Sequence, residues 1–178
     1  MKKAFFINGG AGRVLCSIPA LEYYKEHTDP DVVIVVEAWQ ELFLSTSLRK
    51  NVYQGNGGDL FNLLKDREIV SPEPYRLNAY YNQRVNLIQA FDMLINGVDD
   101  TVEGKPINLD LGKSDQIYGY NLVTQVKQQM KKEKIIVFQP FGSGAKMEGN
   151  FIYDTSGRSF ELKDIFRTVE ELSKNYAI

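Results

Sequence analysis

The sequence predicts an α/β protein in which a parallel sheet is flanked by helices. The first observation behind this prediction is the uninterrupted Val/Ile run at residues 32–36, which is typical of a parallel strand covered on both faces. The second is a short apolar strand at residues 4–7, followed by a glycine-rich loop and then by apolar residues at helical spacing. The third is the return of this order of strand, glycine loop and helix near residue 140.

Composition narrows the class of protein. The chain has 178 residues, a formal net charge of −2 and 43% apolar residues, which is enough for a full α/β core. Cys16 is the only cysteine, so a disulfide framework and Cys/His zinc sites are excluded and a reducing compartment is favoured. Apolar runs are too short for a signal peptide or a membrane helix. We therefore expect a cytoplasmic protein with no membrane span, and the near-neutral charge indicates no nucleic-acid partner.

The first unit, residues 1–96, is predicted to be a Rossmann-like domain. Its predicted elements are a strand at 4–7, a helix ending near His27, a strand at 31–37, a helix at 38–47, a short helix at 59–64, a possible strand at 68–70 and a helix at 80–95. Pro19 lies inside the first predicted helix and leaves the carbonyl of Leu15 without a donor. The helix should therefore be kinked there, or begin near Ile18 with Ser17 as its cap.

A second Rossmann-like unit is expected at residues 115–178, after a glycine-punctuated connector at 97–114. Its predicted elements are a helix ending near Met130, a strand at 134–139, a second glycine loop at 141–144, an excursion or hairpin at 145–158 and a last helix with Leu162, Ile165, Phe166, Val169 and Leu172 inward. One strand and one helix cannot bury a core. The second unit is therefore expected to be truncated, with the natural reading frame continuing.

Both glycine loops are candidate ligand sites. Gly10 and Gly12 lie between a strand and a helix, where backbone N–H groups and the positive end of the helix can hold a phosphate or admit a sugar. Arg13 adds a cation at the helix start, which favours an anionic partner, either a ligand or a group of the protein. A tight βα turn without a ligand is the alternative.

The second loop repeats this pattern with Gly142, Ser143 and Gly144. Ser143 can donate a hydrogen bond to phosphate, and Lys146 and Arg158 come within reach of the loop if residues 145–158 fold back over it. Alternatively, both cations are solvated charges of a hairpin.

Glu37 ends the second predicted strand, at the edge where open α/β sheets place their ligands. Its carboxylate could bind ribose hydroxyls or accept a proton from a sugar hydroxyl, and its alternative role is a polar strand end.

The segment Ile18-Pro19-Ala20-Leu21, within residues 5–25, resembles the opening of heptosyltransferase-like glycosyltransferases of the GT-B fold, which keep a proline in the first helix. Residues 135–143 resemble that family's donor loop, and residues 157–160 resemble its lead into the next helix. The resemblance covers most of the chain loosely and is strongest at residues 4–37 and 134–172. It implies an acceptor-side first domain and the start of a donor-side second domain.

The resemblance also implies a function, namely inverting transfer of a sugar from a nucleotide sugar to a glycan, lipid-linked sugar or other hydroxyl acceptor, with neither cofactor nor metal. Gly142, Ser143, Gly144, Lys146 and Arg158 would then meet the leaving phosphates. Gly10, Gly12 and Arg13 would line the acceptor side of the cleft. The family's catalytic aspartate after the loop glycine is replaced by Arg13, which cannot accept a proton. Glu37 is therefore the candidate base.

Two other readings stay open. The turn Asn8-Gly9-Gly10-Ala11-Gly12 also resembles that of short-chain dehydrogenases and nucleotide-sugar epimerases, in which such a turn binds NAD and an acidic residue such as Glu37 binds ribose. Those enzymes need a tyrosine followed four residues later by lysine, and no tyrosine of this chain has one. The third reading is a non-catalytic binding fragment of the glycosyltransferase fold.

Overall fold

The computed structural model describes residues 2–142, 144–149 and 151–178. The chain forms two compact units, Met1–Leu111 and Gly112–Ile178. The division falls inside the stretch predicted to be a connector, 97–114. Residues 99–110 belong to the first unit, where the amide of Asp110 donates to the carbonyl of Ser45 at 3.1 Å.

The first unit is an α/β domain built on a four-stranded sheet. Its elements are β1 (Lys3–Ile7), α1 (Ala11–His27), β2 (Val33–Val36), a 3₁₀ turn (Gln40–Phe43), β3 (Val52–Gln54), α2 (Leu60–Leu64), β4 (Glu68–Val70), a 3₁₀ turn (Pro74–Arg76), α3 (Asn78–Tyr81) and α4 (Leu87–Asn96). The strands lie in the order β3-β2-β1-β4 and all neighbours are parallel. The predicted parallel sheet is therefore confirmed, and its strand order is Rossmann-like.

Helices cover both faces of this sheet, as predicted. On one face, Phe5, Ile34 and Val36 pack with residues of α1 and α4, including Ile18 and Phe91. On the other face Ala4, Val33 and Val35 pack against Leu60 and Leu64 of α2. Because β2 is buried on both faces, it carries no polar alternation.

The helix predicted at 38–47 is wrong, since only the 3₁₀ turn Gln40–Phe43 forms there. Trp39 precedes it with a left-handed φ of 67°. After the turn, the Thr46 hydroxyl donates to the carbonyl of Phe43 at 2.8 Å and accepts from the amide of Leu48 at 3.1 Å. These local bonds compete with the helical pattern that the apolar spacing suggested.

The helix predicted at 80–95 is interrupted and forms as α3 and α4. Gln83 takes a left-handed φ of 57° after α3. Asn86 then caps α4 in a reciprocal capping box with Gln89, which begins a new helix. The apolar spacing of residues 85–95 fits one continuous helix and a separate second helix equally well. It therefore could not predict the interruption.

Pro19 is accommodated within α1, which runs from Ala11 to His27. The alternative start near Ile18 is wrong. The hydroxyl of Ser17 is buried and donates to the carbonyl of Val14 at 2.7 Å, so Ser17 is an interior helical residue and not a cap.

The second unit contains α5 (Lys113–Met130), β5 (Ala145–Glu148), β6 (Phe151–Asp154) and α6 (Leu162–Ser173). The predicted hairpin forms as the antiparallel pair β5-β6. The strand predicted at 134–139 is wrong, because the described residues there make only one isolated parallel bridge, Ile135 to Ala177. With no neighbouring ladder to extend it, the segment leaves Val137 94% exposed.

No helix that the described residues form is both long and apolar enough to cross a membrane.

Candidate functional site

The strand order of the first unit creates a crevice at one edge of the sheet. From β1 the chain moves to β2 and β3 on one side, and α2 then returns it to β4 on the other side of β1. Such a reversal between neighbouring strands separates the loops at their carboxyl ends, and open α/β sheets bind ligands there. The loops that flank the crevice are residues 8–10 after β1 and residues 71–73 after β4.

The predicted glycine loop lies at this crevice and is open. Gly9 has a φ of 96°, and a Cβ there would come within 2.8 Å of Arg13 Cδ, so this position requires glycine. A Cβ at Gly10 or at Gly12 would meet no described atom within 4 Å. None of the described side chains caps α1 at Gly10, and its first turn carries no acidic residue. The amides of Ala11 and Gly12 have no intrahelical acceptor and lie at the positive end of the helix, whereas the amide of Arg13 already donates to the carbonyl of Gly10 at 3.0 Å.

The Arg13 side chain is only 9% exposed and runs from beside Gly9 to the loop after β4. Its guanidinium donates to both carboxylate oxygens of Glu73, at 3.0 and 3.3 Å, and to the carbonyl of Pro72 at 2.9 Å. It also lies over the rings of Tyr75 and Phe91, 5.1 and 5.9 Å from their centroids. The anionic partner expected for Arg13 is thus Glu73. This two-pronged ion pair joins the start of α1 to the loop after β4, and direct binding of a ligand by Arg13 stays a prediction.

Glu37 lies at the same edge of the sheet as the glycine loop. In the β1-β2 register Ile7 pairs with Val36, which places Glu37 beside Asn8. The carboxylate is exposed and makes no hydrogen bond or ion pair with the part of the chain that the structure describes. Trp39 follows it, 42% exposed and with a strained left-handed φ of 67°. A free carboxylate and an aromatic surface therefore flank the loop on the β2 side.

A cavity of about 600 Å³ lies beyond the β4 side of the crevice. It is lined by Tyr75, Tyr80, Tyr81, Gln83, Arg84, Val85 and Asn86. Tyr75 connects it with the crevice, because the same ring contacts Arg13. We call it the tyrosine cavity. The sequence predicts no ligand for this segment.

In the second unit, the described residues of the second glycine loop pack against the turn after β6. A Cβ at Gly142 would lie 2.7 Å from Arg158 Cβ, and one at Gly144 would lie 2.6 Å from a carboxylate oxygen of Asp154. Both glycines are therefore needed for this close approach. Lys146 and Gly142 line one cavity of about 390 Å³. Ser143, the predicted phosphate donor, lies outside the described residues.

Asp154 organises that turn. Its carboxylate accepts from the hydroxyls of Ser156 and Ser159 at 2.5 and 2.6 Å, and from the amides of Ser156 and Arg158 at 2.7 and 3.0 Å. These bonds hold the pKa of Asp154 far below its ordinary value, with the two hydroxyls as the leading cause. Ser159 also accepts from the amide of Gly142 at 2.9 Å. Asp154 and Ser159 thus hold the end of the hairpin segment against the second glycine loop, which is the condition under which Lys146 and Arg158 were predicted to come within reach of it.

Glu73 and the residues of the tyrosine cavity, among them Tyr75 and Arg84, were not predicted as site residues from the sequence. Glu73 carried a usable signal, since it stands three residues after β4, much as Glu37 stands after β2. Tyr75 and Arg84 carried none, because their position depends on the break between α3 and α4. Within the described ranges, no group of three or more His, Cys, Asp or Glu side chains has the arrangement of a metal site.

Comparison with known proteins finds no family model, no curated protein and no solved structure that matches this chain.

Proposed function

We propose that this chain is a glycosyltransferase of the GT-B type, in which the first unit presents the hydroxyl acceptor and the second unit meets the nucleotide sugar. The observation that carries the proposal is the open glycine loop at the reversal of strand order between β1 and β4. Its free amides suit a ligand rich in oxygen atoms. The resemblance of residues 5–25 to heptosyltransferase-like enzymes supports sugar transfer in particular.

In the proposed reaction Glu37 accepts the proton of the acceptor hydroxyl. The oxygen then forms a bond to the anomeric carbon of the donor, while the bond from that carbon to phosphate breaks and the nucleoside diphosphate leaves with the electron pair. The exposed, unpaired state of Glu37 supports this role. Glu73 is the less suitable base, because both of its oxygens already accept from Arg13.

The leaving phosphates are proposed to meet Gly142, Ser143, Gly144, Lys146 and Arg158. Lys146 and Arg158 would neutralise the charge that develops on the leaving group. Of these residues, Lys146 and Gly142 already line one cavity, which supports a shared ligand.

Binding distinguishes this proposal from the dehydrogenase alternative. We expect nucleotide sugars to raise the unfolding temperature, since a ligand at 100 times its Kd adds about 2.7 kcal/mol of stability, while NAD and NADP have no effect. Stabilisation by NAD or NADP alone would contradict the proposal. So would a lack of response to both groups of ligands.

The role of the glycine loop is tested by filling its open space. Gly12→Leu places a side chain where no described atom lies within 4 Å and φ is not positive, so the fold should persist while transfer to the acceptor is lost. Gly119→Leu is the matched control, because Gly119 is also helical with open space around it. Equal activity in both variants would remove the glycine loop from the site.

A further inference from the structure

The tyrosine cavity has the size and lining of a small-molecule site. Its volume of about 600 Å³ lies within the usual range of ligand pockets, roughly 300–1,000 Å³. Tyr75, Tyr80 and Tyr81 supply aromatic surface that ends in hydroxyl groups, and Val85 is a buried apolar contact. An apolar wall with a few polar groups is the composition that orients a small ligand.

The backbone is strained at Gln83, in the wall of the tyrosine cavity. α3 ends with the amide of Arg84 donating to the carbonyl of Ala79 and the amide of Gln83 donating to that of Tyr80, both at 2.9 Å. This helix ending places Gln83 in the left-handed region, with a φ of 57°, where glycine is the usual residue. Glutamine brings a carboxamide to the cavity wall at the cost of backbone strain. Strain of this kind is concentrated at binding sites.

The charges at the cavity are already paired, which favours a neutral ligand over a phosphate. Arg84 is the charged residue among those that line the cavity, and its Nη1 lies 3.0 Å from an Asp100 carboxylate oxygen. Arg13, behind Tyr75, is already paired with Glu73. A phosphate would have to compete with these carboxylates, whereas a neutral ligand meets paired charges only.

The arrangement of the aromatic rings in the cavity favours a puckered ring as the ligand. Tyr75 and Tyr80 meet edge to face, with centroids 5.6 Å apart and an interplanar angle of 66°. The two rings are not parallel, so a base could stack against only one face of the pair. An edge-to-face pair presents one aromatic face beside a hydroxyl-bearing edge, which suits a puckered ring with an apolar face and hydroxyls around its rim.

We propose that the tyrosine cavity binds a neutral pyranose ring, with Tyr81 as a contact face and Gln83 as a hydrogen-bonding group for its hydroxyls. The inference concerns binding alone, so it stands or falls independently of the transfer reaction.

The test measures binding of methyl glycosides of glucose, galactose, mannose and N-acetylglucosamine by NMR titration of the whole chain. At least one should bind, and Tyr81→Ala should weaken it tenfold or more. The side chain of Tyr81 is 78% exposed, so its removal leaves the fold intact. Tyr118→Ala, which removes an exposed tyrosine from α5, is the matched control and should bind as the wild type does.

Asp100→Asn tests the charge argument. Releasing Arg84 from its carboxylate partner should improve binding of glucose 1-phosphate several-fold and leave the methyl glycoside unchanged. The proposal is overturned if no methyl glycoside binds, if Tyr81→Ala and Tyr118→Ala bind equally well, or if the wild type prefers glucose 1-phosphate or uridine to every methyl glycoside.

Discussion

Gln83 places a carboxamide at the wall of the tyrosine cavity, and its left-handed backbone lowers the stability of the fold. Its φ of 57° costs a non-glycine residue on the order of 1 kcal/mol. We therefore predict that Gln83→Gly raises the free energy of unfolding by about 1 kcal/mol, measured by chemical denaturation. The neighbouring Asn82 has a φ of −85°, so Asn82→Gly should have no such benefit. Equal effects of the two substitutions would show that Gln83 is not strained.

Asp154 makes the turn after β6 sensitive to acid. Because hydrogen bonds lower its pKa from the ordinary 3.8, its contribution to stability is fully present above that value and is lost as the pH falls below it. We predict that the amide signals of β5 and β6 begin to lose dispersion as the pH falls below about 4 and lose it further at lower pH, followed by NMR. In Asp154→Asn the hairpin should show no such transition. Equal sensitivity of the wild type and of Asp154→Asn to acid would contradict the role of Asp154.

Individual residues also show how much of the candidate site could be predicted from the sequence. The place of Glu37 at the carboxyl edge of the sheet could be predicted, because it depends only on the end of its own strand. Glu73 pairs with Arg13, 60 positions away in the chain, and such a pairing depends on β4 lying beside β1. The charge at Arg13 indicated an anionic partner, but it could not distinguish a ligand from a carboxylate of the protein.

At the scale of elements, the amino-terminal edge of the sheet is held by one arginine. Arg67 donates to Asp29 at 3.1 Å and to the carbonyls of Lys3 and Asp31 at 3.2 and 2.8 Å. It thereby ties the start of β1 to the segment before β2. The Asp29 side chain is only 7% exposed, so this pair is shielded from water.

Removing Arg67 should therefore be costly. We predict that Arg67→Met lowers the free energy of unfolding by about 3 kcal/mol, because it leaves the buried charge of Asp29 without its main partner. Arg49→Met, at an exposed arginine, should change it by less than about 0.5 kcal/mol. Urea denaturation of both variants measures the difference in the free energy of unfolding. Similar losses in the two would show that Arg67 does not hold this edge of the sheet.

Elements whose own residues form a strong apolar pattern could be predicted from the sequence. Elements that form only by pairing with a neighbouring strand could not. β2 could be predicted from its own residues, since an unbroken Val/Ile run is typical of a parallel strand buried on both faces. β3 has only three residues and forms because β2 offers an open edge. The apolar segment at 134–139 has the composition of a strand, but it makes only a single bridge, to Ala177. A strand also needs a neighbouring strand to pair with, and the composition of one segment does not show whether a neighbour is present.

At the scale of the whole molecule, burial is distributed unequally between the two units. In the first unit, the sheet and α1 bury Phe5, Ile18, Leu21 and Ile34 completely. Among the described residues of the second unit, only Ile165 and Ala177 are buried. None of the 18 residues of α5, all of which the structure describes, is buried.

This difference predicts unequal protection from hydrogen exchange. Amides of β1, β2 and the middle of α1 should exchange at the rate of global unfolding, whereas those of α5 should exchange through local opening, faster by several orders of magnitude. Exchange measured on the intact chain by NMR tests this. Equal protection of α5 and β2 would mean that α5 is covered by a partner in solution.

The most direct test of the proposed function is transfer of a sugar. The chain is incubated with a panel of nucleotide sugars and methyl glycosides, and mass spectrometry detects the new glycoside and the released nucleotide. The account predicts product with at least one donor, a loss of rate of about 100-fold or more in Glu37→Gln with donor binding retained, and an unchanged rate in Glu41→Gln, which neutralises another exposed carboxylate. A complete absence of product, or equal rates in the two variants, would contradict it.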